Sequence, residues 1–170
     1  MYKINRVRMY SVLLFALVLQ LALAPHLSVS GVKPDLVTMC IVLFGIFLGP
    51  RAGIESGVFG GFIQDVFAAD FFWVNAFLGA ATGFFAGSLT SQLSKDSRGT
   101  CVLITAVLTG VSMALHYIIV SLISTYHALG FFEYFSTTVV PGSLATGLIA
   151  AITLFYYPRF LTVKTGTDII

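Results

Sequence analysis

Two rows of residues at four-residue spacing, most of them small, contain most of the candidate functional residues of this chain. Residues four apart lie on one face of a helix, so each row would form a groove with almost no side chains on its floor. The rows are Gly53, Gly57, Gly61 and Asp65, followed by Asn75, Gly79, Gly83, Gly87 and Ser91. In lipid, small residues and polar pairs bring helix backbones together. The spacing predicts a helical hairpin whose grooves face each other, with the Asp65 carboxylate and the Asn75 amide meeting at its turn.

Asp65 has three possible interpretations, because a charge within apolar sequence is costly and is a functional hypothesis by default. A hydrogen-bonded pair with Asn75 would be structural, whereas water at the membrane interface would leave the carboxylate solvated. Ion or proton handling is the third interpretation. Asp70, in the turn that follows, is expected to be solvated.

Two further ionisable side chains lie within apolar sequence. Glu55 follows Arg51 by four residues, which predicts an ion pair on one helix face in preference to a transport role. His116 continues a row of hydroxyl side chains, and a hydrogen bond with Ser112 or with a neighbouring helix would make it structural. A proton relay through His116 would need further titratable partners, of which the sequence offers only Asp65.

No catalytic or metal-binding motif accompanies these side chains. The sequence has no glycine-rich phosphate loop with lysine, no nucleophile elbow, and no histidine or cysteine cluster with ligand spacing. Cys40 and Cys101 each lie in apolar sequence and are interpreted as small core residues. The sequence therefore predicts a protein that is not an enzyme and that has no catalytic residue, metal or cofactor.

The composition predicts that most of the chain lies in a membrane. Of its 170 residues, 58% are hydrophobic and only 9% are charged, against about 25% charged residues in soluble domains. The mean hydropathy is +0.97. This length accommodates one integral membrane domain, 1–170, without a sizeable soluble part. The net charge of +2 and the lack of a basic run argue against nucleic acid as a partner.

Six apolar segments approach the length needed to cross the ~30 Å hydrocarbon core, which takes about 20 helical residues. They lie near 8–28, 34–49, 53–68, 73–93, 101–125 and 137–157. The sequence thus predicts an all-α membrane protein with six transmembrane helices. Pro50 and its flanking glycines predict a tight turn between the second and third spans. Pro141-Gly142 is expected to start or kink the last span.

The basic residues predict the orientation of these spans. With six spans both termini share a side, and the loops of that side are the basic ones. That side would hold Lys3, Arg6, Arg8, Arg51, Lys95, Arg98, Arg159 and Lys164. The opposite side holds only Lys33. Because cytoplasmic loops carry the excess of Lys and Arg, both termini are predicted to be cytoplasmic.

The N-terminal apolar stretch has two interpretations. Basic residues precede 9–24, which ends Ala22-Leu23-Ala24 and so resembles a signal peptide with its cleavage site. Pro25 follows directly, and proline after the scissile bond makes a poor substrate for signal peptidase. The stretch is therefore predicted to remain as a membrane anchor.

Five short segments between residues 34 and 87 form an ordered series of motifs. They are Pro34-Asp35-Leu36, Gly49-Pro50-Arg51-Ala52-Gly53, the run from Gly57 to Asp65, Asn75-Ala76-Phe77, and Gly83-Phe84-Phe85-Ala86-Gly87. In this order and spacing the sequence resembles the MreD family, small integral membrane proteins of the bacterial rod-shape system. Two departures are Phe72-Trp73-Val74, where the family often has Leu-Gly before the asparagine, and Thr146, which replaces a family-like asparagine.

The resemblance implies a non-enzymatic role in the bacterial cytoplasmic membrane. MreD-like proteins bind the bitopic protein MreC and belong to the elongation complex for lateral peptidoglycan synthesis and rod-shape maintenance. That complex also includes the MreB filament, the polymerase RodA and a class B penicillin-binding protein. The fold is expected to resemble the substrate-binding subunits of energy-coupling-factor transporters. Residues expected to pack helices or bind a partner are Pro34, Asp35, Gly53, Gly57, Gly61, Asp65, Asn75, Gly79, Gly83 and Gly87.

Two alternatives have other functions. A substrate-binding subunit of a vitamin-uptake transporter has a similar size and span number, but it needs a polar pocket facing outside and often docks through Ala-x-x-x-Ala in its first helix. Here Ala16, Ala22 and Ala24 include no pair four apart, and the short aromatic outer loops argue against a polar pocket. A channel or proton carrier would depend on His116 and Asp65 alone.

Overall fold

The part of the chain that the structure describes forms a bundle of six helices. The computed structural model describes residues 6–27, 33–67, 73–92, 97–123 and 130–156. The helices are α1 (Arg6–Leu27), α2 (Leu36–Leu48), α3 (Pro50–Phe67), α4 (Val74–Gln92), α5 (Arg98–Ile123) and α6 (Phe131–Tyr156). These ranges contain no strand. The predicted all-α class is confirmed, with one helix in each predicted span. Lys3, Asp70, Lys95, Arg159 and Lys164 lie outside the described residues.

The helices differ in whether they can cross a membrane by themselves. By length and hydropathy, α5 and α6 meet the requirement for a spanning helix, and each has 26 residues. Two shorter apolar segments, Leu36–Leu48 and Val74–Thr90, do not reach it. The 13 residues of α2 extend only about 20 Å, less than the ~30 Å hydrocarbon core.

The polar and apolar faces of α5 are reversed relative to those of a helix in a soluble protein. Its outer face exposes Leu103, Val107, Val111, Leu115 and Leu122, the last with 82% of its surface accessible. Its inner face buries Thr105 and Thr109 completely. Soluble proteins rarely expose an apolar surface of this extent while burying hydroxyl groups. The arrangement therefore fits a surrounding of lipid.

The short helix α2 lies at the centre of the bundle. It contacts every other helix in the described ranges. Its side chains Ile41, Val42 and Ile46 are fully buried and pack with Leu13 and Leu17 of α1. At its end Gly49 takes a φ of +93°, which favours glycine, and Pro50 occupies the first position of α3. These two residues make the predicted tight turn.

Of the two alternatives for Pro141-Gly142, a helix start is wrong, and the expected ion pair of Glu55 with Arg51 is wrong too. The last helix begins at Phe131 and not at Pro141, with a π turn over Phe135–Val139 directly before the proline. Proline lacks the N–H of a regular turn and its ring collides with the preceding turn, so a wider turn lets the helix continue. Glu55 does not use Arg51 as its partner either. It accepts from Arg6 at 2.9 Å and from the Tyr10 hydroxyl at 2.6 Å, which joins α3 to α1.

Candidate functional site

Helices α3 and α4 form the most extensive helix pair in the described ranges. Their glycine rows face each other in antiparallel register. A Cβ atom added at Gly53 would overlap the backbone of Gly83, one at Gly57 would overlap that of Gly79, and one at Gly61 would overlap that of Asn75. The grooves expected from the spacing therefore contact backbone to backbone. We expect the two helices to cross in the right-handed sense at about −40°.

The rows also reach a third helix that the sequence argument did not include. A Cβ atom at Gly45 of α2 would lie 2.6 Å from the Gly83 carbonyl oxygen and 2.9 Å from the Cβ atom of Ala86. Gly87 packs against Pro50 at the turn into α3. Gly45, Gly49 and Gly53 are spaced four residues apart, so extending the first row backwards along the sequence would have included Gly45. The Ser91 side chain lies outside the described residues.

Asp65 caps the N-terminus of α4 from the neighbouring helix. It is 3% exposed, and its two carboxylate oxygens accept from the backbone N–H groups of Asn75 and Ala76, each at 3.0 Å. These are the second and third helical residues, whose N–H groups have no partner within a helix. A negative charge is also favourable at this end of the helix dipole.

The expected pairing of Asp65 with the Asn75 side-chain amide is therefore wrong. The residue before α4 explains why the cap comes from elsewhere. Trp73 precedes the helix with a φ of +82°, and its indole supplies no oxygen acceptor for the first turn. The Asp65 carboxylate takes the role that a local Ser, Thr, Asp or Asn would have.

A second carboxylate, Asp35, caps α2 directly after the buried Pro34. Its oxygens accept from the Thr38 backbone N–H at 2.9 Å and from the Thr38 hydroxyl at 2.6 Å. The Gln64 amide of α3 donates to the same carboxylate at 3.2 Å. Asp35 thus fixes the start of α2 and attaches it to α3.

Two further side chains, both missed at the sequence level, complete the start of α2. The Gln20 amide oxygen of α1 accepts from the N–H groups of Leu36 at 2.8 Å and Val37 at 3.2 Å. The Thr146 hydroxyl of α6 accepts from the Asp35 N–H at 3.0 Å. Thr146, a departure from the family pattern, therefore supplies an acceptor here. Together with Asp35 and Gln64, these contacts join α1, α2, α3 and α6 at one point.

A polar cleft of about 380 Å³ opens above this point. Its polar lining consists of Gln20, Lys33, Asp35, Thr38, Gln64, Asn75, Ser112 and His116. The Nδ1 atom of His116 is buried without a hydrogen-bond partner among the described residues, so the expected partner Ser112 does not satisfy it. Helices α1, α3 and α5 end here and α2 and α4 begin here, so the cleft lies at the end of the bundle that Lys33 marks. This end therefore has a polar pocket, contrary to the expectation from its short aromatic loops.

The titratable groups do not form a metal centre in the part of the chain that the structure describes. No three His, Cys, Asp or Glu side chains lie close enough to share an ion there. Cys101 is buried and Cys40 is half-buried, and neither forms a disulfide within the described residues. Thr109 has a buried hydroxyl oxygen without a partner among the described residues, one turn below Ser112 on the inner face of α5.

Comparison with known proteins gives one match. The family described as rod shape-determining protein MreD matches residues 1–161, essentially the whole chain. No curated protein and no solved structure matches. The match covers the four joined helices and the glycine hairpin, and it extends well beyond the motifs between residues 34 and 87. The chain belongs to the MreD family of rod shape-determining membrane proteins.

Proposed function

We propose that the chain is a non-enzymatic scaffold of the bacterial cell elongation complex. In this role it binds an MreC-like bitopic protein and supports lateral peptidoglycan synthesis together with the MreB filament, RodA and a class B penicillin-binding protein. The family match over residues 1–161 carries this proposal. The carboxylates agree with it, because Asp35 and Asp65 are both used to cap helices. A scaffold needs such a fixed shape more than it needs reactive groups.

Co-purification tests the proposed partners. An affinity-tagged full-length chain, extracted in mild detergent, is expected to retain the MreC-like protein, with RodA and the penicillin-binding protein in smaller amounts. The control is an unrelated multi-pass membrane protein with the same tag and a similar expression level. Recovery of the MreC-like protein at the level of the control would contradict the proposal.

The proposed topology has six spans with both termini in the cytoplasm. Arg6, Arg51 and Arg98 lie at one end of the bundle, where Arg98 stacks on Phe155 with 5.3 Å to the ring centroid, and Lys33 lies at the other end. A positive charge excess marks the cytoplasmic side.

Cysteine labelling checks this orientation in intact cells. With Cys40 and Cys101 replaced by alanine, a membrane-impermeant maleimide is expected to label Glu133→Cys and not Ser97→Cys. Both positions are exposed in the structure, so access from outside decides the result. After cell lysis both variants should react. The reverse pattern in intact cells would invert the topology.

A substrate-binding subunit for vitamin uptake is the second candidate, and the polar cleft is the observation in its favour. The two candidates differ in the phenotype of a deletion strain. A scaffold of the elongation complex predicts rounded cells whatever vitamins the medium contains. A transporter subunit predicts rod-shaped cells that need an added vitamin to grow.

A further inference from the structure

The polar cleft exists because the central helix is short. Helix α2 begins at Leu36, and Gln20, Gln64, Asn75 and His116 of its neighbours line the space in front of its first turn. Side chains of four surrounding helices therefore form walls around a space that no helix fills. Its volume of about 380 Å³ lies within the ~300–1,000 Å³ typical of small-molecule sites.

The cleft contains one anion and one cation that do not pair with each other. Asp35 and Lys33 both line it, and the structure places them more than 4.0 Å apart, since the ion pair found in the described ranges joins Arg6 to Glu55. A carboxylate offers about four acceptor positions, and three of those on Asp35 are occupied. Lys33 is exposed. A ligand with a single charge would be attracted by one of these groups and repelled by the other.

Hydrogen-bonding capacity in the walls is also unused. The Gln20 amide oxygen is occupied by α2, which leaves its NH₂ group for the cleft, and the Gln64 NH₂ group is occupied by Asp35, which leaves its oxygen. The buried Nδ1 atom of His116 has no partner in the described part of the chain. A buried polar group without a hydrogen-bond partner is costly, so native structures usually supply one.

We propose that the cleft binds a phosphoethanolamine group, with its ammonium at Asp35 and its phosphate at Lys33. The group carries both charges a few bonds apart, and its donors and acceptors match the amides of Gln64 and Gln20. It could come from phosphatidylethanolamine or from a free soluble molecule. The lipid is favoured, because Leu17, Leu21 and other apolar side chains line the same cleft, which lies at the helix ends where lipid headgroups would be.

Thermal stability of the purified full-length protein in mixed micelles tests the ligand. Phosphatidylethanolamine, phosphatidylcholine and phosphatidylglycerol are titrated over the same range of mole fractions, and free phosphoethanolamine is titrated into plain detergent. Phosphatidylethanolamine should raise the Tm at a concentration roughly tenfold or more below that of the other two lipids, because only it combines ammonium donors with phosphate. Equal shifts for the three lipids would overturn the proposal. The absence of a shift with both phosphatidylethanolamine and free phosphoethanolamine would overturn it too. A shift with free phosphoethanolamine as large as with the lipid would support the group and assign it to a soluble source.

Lys33→Ala tests the proposed phosphate contact without disturbing the fold. Lys33 is exposed, so the Tm without lipid should be unchanged, whereas the concentration of phosphatidylethanolamine for half the shift should rise about tenfold. Arg51→Ala is the matched control, because it removes an exposed cation at the opposite end of the bundle. Unchanged lipid response in Lys33→Ala would refute the phosphate site. The readout uses purified protein, so it is independent of any partner capture by the proposed scaffold.

Discussion

Gly57→Ala is expected to destabilise the protein strongly, although alanine is the better helix former. Helix propensity alone would favour alanine by about 1 kcal/mol. In the structure the added Cβ would overlap the backbone of Gly79, which cannot rotate away as a side chain can. Overpacking costs typically about 1–3 kcal/mol, occasionally more, and here it falls on the most extensive helix pair. Thermal unfolding in detergent should therefore show a clearly lowered Tm. Gly61→Leu and Gly83→Leu should lower it further.

Gly60→Ala is the matched control on the same helix. Its Cβ would lie 3.1 Å from the side-chain tips of Ile41 and Val37, which can shift by small rotations. Its Tm should stay near that of the unmodified protein. Gly99→Ala, where the nearest atom is 3.9 Å away, should be neutral or slightly stabilising. If Gly57→Ala matches Gly60→Ala in stability, the backbone contact between α3 and α4 is not as close as described.

The glycine hairpin was predictable because its information is local. Four-residue spacing assigns Gly53, Gly57 and Gly61 to one face, and antiparallel neighbours joined by a short connection must pack. The Pro50 turn follows from local chemistry in the same way. The alternation of helices then predicts which ends of the six helices lie together, as the cleft at the Lys33 end illustrates.

The hydrogen-bond partners were not predictable, because they depend on contacts between distant segments. Glu55 has a suitable neighbour four residues away in Arg51, yet it pairs with Arg6 because α1 packs beside α3. Gln20 and Thr146 carry no signal of their own, since a glutamine or threonine in an apolar helix gives no indication of its partner. Only the Pro34-Asp35-Leu36 motif indicated a role for Asp35.

Asp65 illustrates a more general difficulty. A carboxylate near an asparagine suggests a side-chain pair. Backbone N–H groups, however, are present in every residue except proline, so the sequence does not show which of them a carboxylate will accept from. The first turn of α4 needs acceptors whatever its side chains are, and Trp73 cannot provide them. The need for a cap was thus a stronger constraint than the presence of Asn75.

Asp65→Leu is expected to cause a large loss of stability, with Asp65→Asn intermediate. Leucine would leave the N–H groups of Asn75 and Ala76 without an acceptor, at about 1–3 kcal/mol for each buried group. Asparagine keeps one acceptor oxygen but turns its NH₂ group toward the other N–H, so it should lose a substantial part of this contribution. A side-chain pair with Asn75 would instead make Asp65→Asn mild. Membrane insertion alone would favour leucine over aspartate, so the sign of the change separates capping from insertion.

Asn75→Ala provides the matched control, because it removes the side chain and keeps the backbone N–H. It should be mild, and its effect should add to that of Asp65→Leu even though the two residues are in contact. Amide hydrogen exchange gives the direct measurement: the N–H groups of Asn75 and Ala76 should be protected in the unmodified protein and in Asn75→Ala. In Asp65→Leu both should exchange much faster, while amides in the middle of α4 keep their protection. Strong coupling between Asp65 and the Asn75 side chain, with unchanged exchange at Ala76, would contradict the cap and restore the side-chain pair.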